Sequence, residues 1–176
     1  MEKISFAKAQ NLSAIEIRNF IRKESYVNHT AGLAANKLQT NIVIVPKEFS
    51  EDFHNFCKKN VKACPLVGKT DVGDPYFRKL GEDIDIRYDV PSYNLYENGH
   101  IKKTVKNIED YWNKDLVAFA IGCSFTFEHE LLKNNLSIDH ISNNKIVPMY
   151  KTNINNVVSG VFASNMVVSM RIFNGS

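Results

Sequence analysis

Along this chain the spacing of hydrophobic positions changes several times, and each change marks a predicted element. Ile17, Phe20 and Ile21 recur at helical spacing behind Ser13, with Glu16 three residues after it. That arrangement is a capping box with Ser13 as N-cap, and it predicts a helix over 14–24. NIVIV (41–45) is a continuous, β-branched apolar run stopped by Pro46. DLVAFAIG (115–122) is a second such run. Both read as buried strands and are expected side by side in one sheet, with helices covering its faces. Between them, Ser50 is expected to cap a helix, EDFHNFCKKN, that gathers Phe53, Phe56 and Cys57 on one face.

Residues 61–82 hold Pro65, Gly68, Gly73, Pro75 and Gly81 and read as a loop-rich crossing. The stretch 84–105 then alternates polar and apolar residues around Asn98-Gly99, which predicts a two-residue hairpin turn with positive φ at both positions. Asn107 is placed to cap a short helix through Tyr111 and Trp112, and a further helix is expected from about 124 to 134. KIVPMYKT (145–152), VVSGVFA (157–163) and NMVVSMRIF (165–173) are strand candidates. Buried strands, interleaved helices and a polar hairpin together predict an α/β fold with a smaller β-rich part.

Composition narrows the function classes. At 44% hydrophobic and 23% charged residues, the chain can bury a real core, which excludes disorder. The net charge of +3 is spread along the chain, and pairs such as Arg22-Lys23 and Lys102-Lys103 do not cluster into a phosphate-tracking face, so no nucleic acid partner is expected. No apolar run is long enough to span a membrane, and MEKISFAKAQNL lacks the apolar stretch of an export signal. Three cysteines, an odd number, fit a reducing compartment better than a disulfide framework. A cytoplasmic protein is expected.

Three places could carry chemistry. Gly122-Cys123-Ser124 lies between a predicted strand and a predicted helix, where backbone N–H groups and the helix dipole would favour an anion or a thiolate. Cys123 could equally be a packed core residue. Glu128 falls about one turn past Ser124 and could serve as acid or base, or simply be solvated at the surface. Asp85, Arg87 and Asp89 alternate, either as a self-contained ion-pair cluster or with Arg87 free to clamp a carboxylate. His54, Cys57 and Cys64 lack a second ligand pair, so no metal is expected.

The segments TAGLAANKLQTNIVIVP (30–46), FCKKNVKACPLVG (56–68), VGDP (72–75), DIDIRYDVPSYNLYENG (83–99), DLVAFAIGCSFTFEHEL (115–131), VPMYKTN (147–153) and GVFASNMVVSMR (160–171) occur in this order. Together they resemble the bacterial YcsI-like hydro-lyase family, to which a domain of the mitochondrial D-glutamate cyclase is related. IGCSF-x-FE, CPL, DIR-x-D-x-P and VPMY-x-TN are specific in combination, and the likeness covers nearly everything past residue 18. The resemblance implies an α/β fold with a three-layer αβα part built on a mixed sheet and a smaller two-layer α+β part. It also implies a single domain over 1–176, with a possible subdomain near 140–176. Two departures accompany it. Ala35-Asn36 stands where the family often has Pro-Gly, and the family continues past VVSMR, so a C-terminally truncated member is expected.

The implied activity is that of a carbon–oxygen lyase acting on a small carboxylate or amino acid, and the cyclase relative points to D-glutamate losing water to give 5-oxo-D-proline. Such chemistry needs a proton carrier, donors for developing negative charge and clamps for the carboxylate. Glu128 is the candidate acid/base, with Cys123 and Ser124 lining the site. Thr30, Gln39, Asn41, Arg87, Gly122, Tyr150, Lys151, Asn153 and Arg171 are the candidate substrate contacts, expected to converge on one pocket. No cofactor is implied, and a homo-oligomer is possible. The competing expectation is a non-catalytic module that binds a small carboxylate.

Overall fold

The computed structural model describes residues 3–143 and 145–173. Its centre is a three-stranded sheet in the order β1-β5-β2, formed by β1 (Thr40–Pro46), β5 (Leu116–Gly122) and β2 (Leu66–Lys69). β1 and β5 are neighbours as expected, running antiparallel from Thr40 opposite Gly122 to Pro46 opposite Leu116. Val117, Phe119 and Ile121 of β5 pack against Phe53, Phe56 and Cys57 of α3 (Lys47–Lys59). Ala118 and Ala120, with Ile42 and Ile44 of β1, meet Phe77 and Ile86 on the other face. Both faces of β5 are therefore dry, which is why an antiparallel strand reads as an unbroken apolar run.

The α/β class holds, while three details differ from expectation. Every described strand pairing is antiparallel, so the sheet is not mixed. The layer opposite α3 is made by the irregular 77–90 segment rather than by a helix. β1 lies at the edge of the described sheet and is half-buried along Ile42–Val45, not fully covered.

Helix α3 starts at Lys47, directly after Pro46, so Ser50 is an interior residue whose hydroxyl donates to the Lys47 carbonyl at 2.8 Å. Pro46 ends the strand and starts the helix because its fixed φ suits both jobs. α1 (Phe6–Ala9) and α2 (Ala14–Arg22) form a second apolar cluster in which Ala9, Ile17 and Ile21 surround Tyr26 and Leu33. The capping box of α2 is present in both directions, with Ser13 N–H donating to Glu16 Oε2 at 2.8 Å and Glu16 N–H to Ser13 Oγ at 3.3 Å.

The hairpin is formed by β3 (Tyr93–Glu97) and β4 (His100–Val105), turning through Asn98 at φ 52° and Gly99 at φ 79°. After β5, a 3-10 turn over Ser124–Phe127 leads into α4 (Glu128–Lys133), then α5 (Asp139–Ser142) and a second hairpin, β6 (Met149–Asn155) with β7 (Asn165–Ser169). VVSGVFA is a turn around Gly160 instead of a strand, because Ser159 and Phe162 bond to each other and Phe162 folds inward onto Phe53 at 5.0 Å. Large apolar side chains remain exposed on and around β6 and β7, among them Met149, Ile154, Val161 and Val167. Among the described residues no helix is long and apolar enough to cross a membrane.

Candidate functional site

Glu128 is the first residue of α4 and is only 5% exposed. Its Oε1 lies 2.9 Å from Arg171 Nε, 2.6 Å from Arg171 Nη2 and 3.2 Å from His140 Nε2. The remaining guanidinium donors reach hydroxyls, with Nη1 2.8 Å from Ser169 Oγ and Nη2 3.1 Å from Ser124 Oγ. The two hydroxyls are 3.1 Å apart, and the Phe127 ring lies 4.7 Å from the guanidinium carbon. Arginine's planar fork suits this role, since one residue can hold a carboxylate and two hydroxyls at once.

Short-range features assemble these groups from four elements. The 3-10 turn after β5 points Ser124 and Glu128 the same way, one turn apart. β7 ends at Ser169, so Arg171 leaves the sheet two residues later. Ile138 is fully buried and bridges Phe173, and Asp139 N–H donates to the Ile172 carbonyl at 2.9 Å. That bridge brings α5, and with it His140, alongside Arg171.

The described donors all meet Oε1, and Oε2 receives none of them. His140 is 6% exposed, and its Nδ1 is buried without a hydrogen-bond partner among the described residues. A carboxylate removed from water in this way is tolerable because a fixed cation and a second donor compensate it.

Beside this cluster is a cavity of about 1440 Å³ whose wall includes Thr30, Gln39, Asn41, Cys123, Phe125, Arg18 and Asp89. Gln39 is braced there, with its side-chain amide donating to the Leu33 carbonyl at 2.8 Å and its backbone N–H to Thr126 Oγ1 at 2.9 Å. Residues 123–126 form a shared partition. Cys123 and Phe125 line the cavity, while Ser124 between them faces Arg171. The expected single pocket is thus divided into a cavity and a buried ion cluster.

Other expected contacts lie elsewhere. Gly122 N–H donates to the Pro65 carbonyl at 2.8 Å and Cys123 N–H to the Gln39 carbonyl at 3.0 Å, so neither donor is left for an anion. The helical segment that follows begins as a four-residue 3-10 turn, and Gly122 and Cys123 give no backbone donor to the expected strand-to-helix anion site. Gly122 instead allows close packing, because a Cβ there would crowd Val67 and Pro65. Arg87 is held by Asp85, with Nε 3.0 Å from Oδ1 and Nη2 2.7 Å from Oδ2. Residues 85–89 form a turn rather than a strand, and Asp89 pairs with Arg22 at 2.5 Å and accepts from Asp85 N–H at 2.8 Å. Of the two readings of the Asp-Arg-Asp pattern, the geometry is that of an ion-pair cluster. Tyr150, Lys151 and Asn153 lie exposed on β6, apart from the cavity wall. Cys57 is a core residue whose thiol is pushed up to about 11 by burial.

Sequence reasoning missed His140, Ser169 and Arg18. Ser169 sits two residues before Arg171, a spacing that could have suggested a shared face in an extended segment. His140 carries no local signal, since the cluster it joins closes through the Ile138–Phe173 bridge.

The fold and site thus define an α/β protein in which a buried carboxylate–guanidinium–imidazole cluster adjoins a largely apolar cavity that carries Thr30, Gln39 and Asn41 on its wall. A family model described as D-glutamate cyclase matches residues 117–176, a span that contains Ser124, Glu128, His140, Ser169 and Arg171. The chain is 44% identical over 168 residues to a protein of Ruegeria pomeroyi named "Putative hydro-lyase", covering 96% of this chain and 61% of that one. It is 48% identical over 156 residues to a protein of the same name from Dinoroseobacter shibae, covering 89% and 52%. A Bacillus pumilus protein so named is 48% identical over 162 residues, covering 92% and 62%. The chain is similar to these relatives over most of its own length and spans between half and two thirds of theirs.

Proposed function

We propose that the chain carries hydro-lyase chemistry on a small carboxylate, with Glu128 moving the proton. The observation that carries this reading is the asymmetry of the buried carboxylate. Oε1 is fixed by Arg171 and His140, which leaves Oε2 to exchange a proton. A carboxylate held in one orientation keeps its free oxygen in place to take a proton, as a general base does. The family's name supports the reaction class.

D-Glutamate is the substrate we favour. Its neutral amine would attack its own protonated γ-carboxyl carbon, Glu128 would take the proton that nitrogen gives up and pass it to the departing oxygen, and the C–O bond would break as the C–N bond forms, releasing water. The product is 5-oxo-D-proline. Tethering of the amine supplies proximity, and the reaction needs no covalent thiol. Gln39, Asn41 and Thr30 would orient the substrate from the cavity wall beside Cys123, and the 123–126 partition would have to open for the γ-carboxyl to reach Ser124, Arg171 and Glu128, where Arg171 would stabilise the charge on the departing oxygen. Three free cysteines support a cytoplasmic setting.

The test is incubation with D-glutamate, followed by mass spectrometry for loss of one water. Turnover that disappears in Glu128→Gln while D-glutamate binding persists is the expected result. Binding without water loss in the unmodified protein would leave a carboxylate-binding module. Unchanged turnover in Glu128→Gln would remove Glu128 from the chemistry.

A further inference from the structure

We infer that His140 is a positioning residue for Glu128: its Nε2, 3.2 Å from Oε1, restrains that oxygen together with Arg171 and leaves Oε2 as the proton-carrying oxygen. This rests on the hydro-lyase reading above and adds to it a residue that neither the motifs nor the family's name assigns.

The geometry carries the argument. His140 Nε2 is 3.2 Å from Glu128 Oε1, and both side chains are 7% exposed. Arg171 approaches the same oxygen through Nε at 2.9 Å and Nη2 at 2.6 Å. One oxygen therefore has three nitrogens within 3.2 Å, of which Arg171 Nε makes the aligned hydrogen bond, and its twin accepts none among the described residues. A guanidinium engaging a carboxylate alone commonly spreads over both oxygens in a two-point contact. Here the fork is shared, because Nη1 is committed to Ser169 and Nη2 also reaches Ser124. An imidazole on the same oxygen then opposes rotation of the carboxylate about its last bond.

The other ring nitrogen makes a purely structural role less economical. Buried polar atoms are nearly always paired, and a packing histidine usually bonds a backbone carbonyl through its second nitrogen. His140 Nδ1 is buried with no such partner. In the neutral ring a proton on Nε2 faces Oε1 and leaves Nδ1 as a lone pair. The opposite tautomer would set two lone pairs against each other at Nε2 and Oε1. The contact to Glu128 is thus what orders the ring.

Two measurements test this. Nitrogen-15 NMR of the imidazole in the intact protein, at a pH where the ring is neutral, should show Nε2 protonated and coupled to the Glu128 side chain. The Nδ1–H tautomer would overturn the inference, whatever the substrate proves to be. With D-glutamate as probe, His140→Leu should lower kcat by roughly ten- to a hundredfold, the range expected when a catalytic group is displaced. His140→Gln, which can place an N–H near Oε1, should recover most of that loss, with KM little changed in either variant. Both are compared at matched folded fractions, checked by circular dichroism. If Glu128→Gln is inactive and His140→Leu turns over like the unmodified protein, the positioning role is wrong and the role of Glu128 stands. If Glu128→Gln is fully active, the parent reading falls and the role of His140 falls with it.

Discussion

Arg171 Nη2 lies 2.6 Å from Glu128 Oε1, a contact between residues 43 apart that ties the exit of β7 to the start of α4. Both side chains are almost fully buried, at 6% and 7% exposure. Removing one partner strands a charge away from water, which costs far more than the net worth of the pair. Arg171→Leu is therefore expected to destabilise the fold by about 3–5 kcal/mol. Urea titration measures this directly. A loss under about 1 kcal/mol would mean that water or a proton reaches Glu128 easily, contrary to its burial.

Alkaline pH should weaken the fold through groups buried in their neutral forms. Burial pushes the Cys57 thiol from its ordinary 9.0 up to about 11, and the Tyr26 phenol from 10.0 up to about 12. Tyr93, whose hydroxyl donates to the Ile86 carbonyl, is raised further by burial and by the nearby Asp89 and Asp85. The unfolded chain loses these protons at ordinary values while the folded chain keeps them. Their contribution is whole below about pH 9 and is lost as pH climbs through about 11 and 12. Denaturant midpoints should fall steadily above pH 9, and Cys57→Ala should flatten the first part of that slope. A midpoint that holds constant from pH 9 to 11 would contradict the burial of Cys57.

The turn at Gly160 gives a steric prediction. Gly160 has φ 54°, and a Cβ added there would overlap the Asp52 carboxylate of α3. Gly160→Ala should cost about 1–3 kcal/mol, as overpacking commonly does. Because the clashing group is a side chain, Asp52→Ala should restore part of that loss, leaving the backbone strain of positive φ. Additive effects of the two substitutions in a double-mutant cycle would show that they do not touch.

These contacts mark where sequence reading succeeds and where it stops. The β1–β5 pairing was legible because NIVIV and LVAFAIG are apolar on both faces, and the β3–β4 turn because Asn98-Gly99 tolerates positive φ at both positions. The α2 cap was legible because Ser13 and Glu16 meet within one turn. The ion pairs were harder. Asp85, Arg87 and Asp89 look alternate in sequence, yet a turn sends Asp89 to Arg22, 67 residues away. Glu128 and Arg171 could each be named as candidates, but nothing local says that they meet or that His140 joins them. The edge position of β1 was equally hidden, since an apolar run reports covered faces and not the number of hydrogen-bonded neighbours.

Neighbouring residues on opposite sides of the 123–126 partition give the last prediction. Ser124 Oγ is 3.1 Å from Arg171 Nη2 and 3.1 Å from Ser169 Oγ. Cys123 is a free, half-buried thiol on the cavity wall. Ser124→Ala removes a hydrogen bond to a charged group, worth about 1.5–3 kcal/mol, and loosens the fork that holds Glu128. A loss of about 1.4 kcal/mol at the transition state corresponds to a tenfold drop in rate. Ser124→Ala should therefore slow water loss from D-glutamate by roughly tenfold or more. Cys123→Ala should stay within about threefold of the unmodified rate, because neither dehydration nor cyclisation requires a bond to sulfur. Rate assays on both variants, with iodoacetamide labelling of Cys123 in the presence and absence of D-glutamate, separate the alternatives. Substrate protection of Cys123 with near-normal turnover in Cys123→Ala would place the ligand in the cavity and keep the thiol out of the chemistry. Abolished turnover in Cys123→Ala alone would make the thiol the reacting group and leave Glu128 and Arg171 as its structural support.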